Sequence, residues 1–165
     1  MADPIMELGD EDLTYLVIGH LTVNWAYCEI ALDGIIAIAF RQCGGSAIEP
    51  EAPASTKRKI AYLRKAFRDL PDFQEFEPDA IPLLDRAAAL KNSRHEIVHS
   101  AVMTYGYNVE VFSIKASGNT HKGSTAKRDL VAMNKDGHKA TQLAIDLAEL
   151  AGRLIRKLVP QKHDA

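Results

Sequence analysis

Apolar residues recur three and four apart from about Glu11 to Gln42, through Leu13, Leu16, Val17, Leu21, Trp25, Cys28, Leu32, Ile35, Ile36 and Ala39. That is the helical period, and it predicts one long helix over about 11–42. The pattern stops at Gly44-Gly45, and Pro50 and Pro53 mark a connecting loop. Ser55 suits the cap of a second helix over about 55–70, because its hydroxyl can accept from a first-turn amide. This helix buries Ile60, Leu63, Phe67 and Leu70 and turns Lys57, Arg58, Lys59, Arg64, Lys65 and Arg68 outward. A third helix, about 80–101, opens between Asp79 and Pro82, where a missing amide costs little. It runs through Leu83, Leu84, Ala87, Ala88, Leu90, Ile97 and Val98.

The period then changes. Tyr105 to Ile114 is rich in tyrosine, valine and phenylalanine, with Val109 and Val111 alternating against Glu110 and Phe112, which predicts a strand. Gly118 to Ser124 reads as a polar loop and Lys127 to Met133 as a returning strand, so a β-hairpin is expected over about 104–134. Asp136 is placed as the cap of a last helix, about 137–159, whose Leu143, Leu147, Leu150, Leu154 and Leu158 form a continuous stripe. Four helices with one inserted hairpin predict a mainly α up-and-down four-helix bundle, one domain over residues 1–165.

Composition changes this picture little. With 47% hydrophobic and 25% charged residues in 165, a packed core forms without staples. A net charge of −2 excludes a globally basic nucleic-acid binder and leaves room only for a local basic patch. The run on the second helix is the one concentrated positive patch, and it reads either as a phosphate-facing surface or as a solvated face balanced by acidic neighbours. Cys28 and Cys43 have neither metal spacing nor a disulfide framework. Together with an acidic start lacking the marks of a signal peptide, they suggest a cytoplasmic protein. The apolar stretch Ile30–Phe40 is too short to span a bilayer, so no membrane partner is expected.

Polar chemistry interrupts the third helix at Lys91-Asn92-Ser93-Arg94-His95-Glu96-Ile97-Val98-His99-Ser100. One reading takes His95, Glu96 and His99 as a zinc-hydrolase signature, since histidines four apart lie about 40° apart around a helix. A catalytic zinc needs a third protein ligand. The longer form of the motif would carry glycine and histidine where this chain has Val102 and Tyr105, and Glu149 is only a distant substitute.

The other reading pairs Arg94 with His99, with His95 as the polar residue after the arginine. Here the chain resembles the HEPN superfamily. The likeness extends over roughly the first 100 residues: Trp25-Ala26 and Glu29 before Leu32, then Lys59-Ile60 with Leu63-Arg64-Lys65-Ala66-Phe67, then Arg94-His95 with Ile97-Val98-His99. Many toxin members have tyrosine two residues after the histidine, where this chain has Ala101. The resemblance implies a HEPN-like bundle, a homodimer, no cofactor or metal, and a metal-independent RNA endonuclease in a defence or toxin–antitoxin setting, with an antitoxin or defence protein as partner.

In an ideal helix Arg94 and His99 sit about 140° apart, so a single helix does not aim both at one small ligand. Two helices meeting across a two-fold axis would let both pairs line one cleft. An imidazole can take a proton from an RNA 2′-hydroxyl, a second can give one to the leaving 5′-oxygen, and a guanidinium suits the phosphate. Arg94 is assigned as phosphate clamp, His99 as acid/base, His95 as an orienting or substrate-contacting group, and Lys91, Asn92 and Tyr105 as substrate contacts. The alternative is a non-catalytic dimeric module that binds a nucleotide, RNA or protein, in which Arg94 meets helix-end carbonyls or a core carboxylate such as Glu29. Trp25 is read as core, Tyr105 and Tyr107 as base-stacking or sheet-packing residues, and His20, His121, His138 and His163 as forming no usable cluster.

Overall fold

The computed structural model describes residues 9–98, 100–105, 108–117 and 120–159. It is mainly helical. Helix α1 spans Asp10–Gln42, α2 Thr56–Asp69, α3 Pro71–Gln74, α4 Glu77–Val98 and α5 Leu130–Leu158, with strands β1 Ala101–Tyr105, β2 Asn108–Ser117 and β3 Thr120–Asp129 between α4 and α5. A single 3-10 turn, Gly45–Ala47, follows α1.

Helix α1 is the hub, packing most extensively on α5 and also touching α2 and α4. Its Leu21, Trp25, Cys28, Leu32 and Ile35 are almost fully buried, as are Leu143, Leu147, Leu150 and Leu154 of α5. Cutting one such leucine to alanine costs about 2–5 kcal/mol through lost transfer energy plus the cavity left behind. By length and composition α1 could also cross a bilayer: an 18-residue window within it has a mean hydropathy of 1.4, and 39% of that window is buried in this fold. The Cys28 thiol donates to the Ala140 carbonyl at 3.4 Å, and burial pushes its pKa up to about 11. Gly137 of α5 sits against the His20 ring of α1, so closely that a Cβ there would fall 2.7 Å from Nδ1.

The first two predicted helices hold to within a residue or two at their ends. Ser55 caps α2, its Oγ accepting from the Arg58 amide at 3.4 Å, and Ile60, Leu63, Phe67 and Leu70 are buried as expected. Helix α4 starts earlier than predicted, which puts Pro82 in its interior. The hydrogen bond that Pro82 cannot give to Pro78 falls where both residues are exposed to solvent. The short α3, which the sequence reading had not separated, opens on Pro71 and buries Phe73 against Phe67, ring centroids 5.0 Å apart.

The expected hairpin is instead a three-stranded antiparallel sheet of order β1-β2-β3. Helix α4 ends at Val98 rather than near residue 101, and Ala101 already pairs with Phe112. Ser117 pairs with Thr120, so most of the presumed loop at 118–124 belongs to β3. A strand with one face in solvent accepts threonine, histidine, lysine and serine. Val109 and Val111 are the buried side of β2. The last helix begins seven residues before the expected 137, because Asp129 and not Asp136 caps it, accepting from the Val131 amide at 2.9 Å. The stripe continues backward from Leu143 through Ala140, Gly137, Met133 and Leu130 at helical spacing.

Candidate functional site

The N-terminus of α2 is tied to α1 through Glu29. Its carboxylate accepts from the Trp25 indole at 3.0 Å and from the Thr56 hydroxyl at 2.5 Å, and Lys59 Nζ lies 3.7 Å away. Burial works against the charge of Glu29, yet these donors, together with the Arg94 guanidinium, hold its pKa below the ordinary value. Lys59 is itself buried, with Asp33 at 2.7 Å. It is therefore not part of the outward basic face where its charge had placed it.

The other basic residues of α2 are mostly committed. Arg58 and Lys65 both meet Glu49, at 3.0 and 3.8 Å, Arg68 meets Asp69 at 3.1 Å, and Arg64 pairs with Asp85. This is the balanced, solvated face. Lys57 alone of the six forms no ion pair among the described residues.

Lys57 instead lines a pocket of about 350 Å³ together with Trp25, Ser55, Thr56, Lys91, Asn92, Arg94 and His95. Four residues predicted for the site, Lys91, Asn92, Arg94 and His95, are thus brought together on the last turns of α4. The amides of Thr56 and Lys57 belong to the first turn of α2, where no helical carbonyl reaches them, and they add the positive end of a helix dipole to three cationic side chains. Arg94 is half-buried. Its Nε is enclosed and meets no acceptor among the described residues. An enclosed donor left unsatisfied costs about 1–3 kcal/mol, which an anionic oxygen entering the pocket would recover.

Glu29 is near enough for Arg94 to lower its pKa, but no ion pair joins them among the described residues. Trp25, read as core from the sequence, is 2% exposed and also forms part of the pocket wall. His95 is exposed at the rim. Glu96, the base of the zinc reading, pairs with Arg128 of β3. Among the described residues no group of three or more His, Cys, Asp or Glu could hold a metal. His99, which both sharp readings use, lies outside the described residues, as does Tyr107, and of Tyr105 only the backbone at the end of β1 is described.

Ser55, Thr56 and Lys57 are contributors that sequence reasoning missed. Ser55 carried a signal as a helix cap and Lys57 as part of the basic run, but nothing local joins residue 57 to residue 94. A second surprise is His20 and His138, whose rings meet edge-on 5.1 Å apart although no cluster was expected of them. A larger concavity, about 1030 Å³ between α4 and α5, is an open groove where Asp79 already pairs with Arg153 at 2.7 Å. It lacks the enclosed, unsatisfied donor that distinguishes the smaller pocket. Comparison with protein-family models, curated proteins and solved structures finds no match to this chain.

Proposed function

We propose that this chain is a metal-independent RNA endonuclease of HEPN type that works as a cytoplasmic homodimer in a defence or toxin–antitoxin setting. In this reading α1, α2, α4 and α5 are the four helices of a HEPN-like bundle, and the small sheet is its insertion between the third and fourth. The observation that carries it is the enclosed, unsatisfied Arg94 Nε in a pocket that Lys57, Lys91 and the α2 N-terminus make positive.

A phosphodiester seated there would take the Arg94 fork and the α2 amides on its non-bridging oxygens, which gather charge as the reaction proceeds. The His99 of one chain removes the 2′-hydroxyl proton, the 2′-oxygen attacks phosphorus, and the 5′-oxygen leaves with a proton from the second copy of His99. The products are a 2′,3′-cyclic phosphate and a 5′-hydroxyl, and His95 at the rim contacts the nucleotide. Two-fold symmetry supplies acid and base from one residue type.

The second reading, a non-catalytic module that binds a nucleotide, RNA or partner protein, is favoured by the same pocket, which needs no His99 to hold a phosphate. The zinc hydrolase is disfavoured by the commitment of Glu96 to Arg128. Incubating fluorescent RNA with the protein in EDTA separates the first two. Cleavage to cyclic-phosphate ends, abolished by His99→Ala, supports the endonuclease. Cleavage no faster than in buffer, with binding that Arg94→Ala weakens, replaces it by the binding module.

A further inference from the structure

A second surface of α1 is as apolar as the core. Around the helix axis, Leu16, Val23, Tyr27 and Ile30 fall about 140–200° from Trp25, on the side facing away from the Arg94 pocket. There α1 and α5 flank a groove of about 500 Å³ whose walls include Tyr27, Ile30 and Gly34 from α1 and Ile145, Ala148 and Gly152 from α5. None of its twelve lining residues carries a charge. A helix that is apolar all round belongs inside a fold, yet half of α1 is bare.

We propose that this groove is an interface with a second copy of the chain, separate from the Arg94 pocket. Three observations choose that occupant. The first is area. Leu16, Val23, Tyr27, Ile30, Ile145 and Ile155 are each 48–66% exposed. Together they present on the order of 600 Å², the upper end for a lone soluble chain and near the ~800 Å² per partner of a standard interface.

The second observation is shape. A two-fold contact requires one patch to hold both projections and recesses. Tyr27 and Ile30 project from α1, while Ala148 and Gly152 open a recess on α5. Laying α1 of each protomer along α5 of its partner seats the projections of both copies.

The third is charge. The lining carries none, and the α1 carboxylates Glu29 and Asp33 are held on the other side by Lys59, so two copies of the patch can meet without burying an unpaired charge.

This contact leaves the Arg94 pocket open and does not depend on its chemistry. If the proposed endonuclease also pairs through α4, each chain has two interfaces and the expected particle is a tetramer. The test is the mass of the full chain by light scattering, in multiples of 18.2 kDa. Ile30→Glu, which puts a charge in the groove, and Gly152→Arg, which fills its recess from a half-exposed position, should each halve the mass. Dissociation should be strengthened on the order of 100-fold, with helical content and melting retained. Should Ile30→Glu fail to fold, Gly152→Arg decides alone. A single-chain mass for the wild type, or a mass unmoved by the folded variants, overturns the proposal. So does flotation of single chains with phosphatidylcholine–phosphatidylglycerol vesicles that Ile30→Glu abolishes. RNA cleavage that persists in the half-mass variants leaves the endonuclease reading standing, and its absence in the wild type leaves this interface untouched.

Discussion

On the side of α1 that carries Trp25 and Glu29, every fully buried side-chain nitrogen or oxygen but the Arg94 Nε and the Tyr62 hydroxyl has a partner among the described residues, and the contacts reach across 26 or 27 residues of chain to α2. On the opposite side, Tyr27 and Ile30 look onto a groove without a charge, and among the described residues no element covers them. The polar side fixes geometry, because a network of charged donors tolerates few arrangements. The apolar side offers area and no direction, so shape must supply specificity. One helix thus serves a site that needs positioned donors and a surface that needs only burial.

Substitutions on the two sides should therefore fail in different ways. The largest effect belongs to Arg94→Ala, expected to lower RNA cleavage on the order of 1,000-fold while the mass stays that of the wild type. A variant that cleaves normally would break the polar half of the contrast. Lys59→Ala comes next. It leaves Glu29 and Asp33 without their shared cation, and since both carboxylates are partly solvated the cost is set at about 2 kcal/mol, below that of a fully buried pair. Urea unfolding measures it, and an unchanged midpoint would show the network to be dispensable.

Lys57→Ala should weaken RNA binding evenly across sequences and reduce the salt dependence of log K by roughly one phosphate contact. A slope equal to that of the wild type would remove Lys57 from the phosphate surface. Glu29→Gln is the smallest. The Glu29 pKa is lowered on folding, so its charge adds stability that is fully present above its ordinary value of 4.5 and is lost as pH falls through the lower folded value. In Glu29→Gln the acid limb of the stability curve should flatten by a fraction of a kcal/mol. A limb of unchanged steepness assigns the acid sensitivity to other carboxylates.

Much of this molecule is legible in sequence where neighbours along the chain decide the structure. The helical period places α1 and α2, and the leucine stripe places α5 from residue 137 onward. Its first seven residues were misread because Asn134, Lys135 and Asp136 look like a turn, although Leu130, Met133 and Gly137 keep the spacing. Lys59 was misread for a related reason: its position between Thr56 and Leu63 puts it on the buried stripe, and its charge argued the other way. Lys91, Asn92, Arg94 and His95 can be grouped from the sequence because one helix carries them all, and they line one pocket. Ser55, Thr56 and Lys57 complete the pocket through tertiary packing, which no local pattern encodes. The sheet departs from the expected hairpin in two places: β1 follows directly where the helical run was carried to about 101, and the first half of β3 reads as a polar loop until its ladder is drawn.

The close seat of Gly137 under the His20 ring also ties two distant positions together. Glycine inside a helix is worth about 1 kcal/mol less than alanine, but a methyl group at 137 would collide with the imidazole. A chain that replaced His20 with a smaller side chain would make room for alanine at 137 and regain that helical stability. Sequences sharing this architecture should accordingly trade bulk between the two sites, each constraining what the other can become.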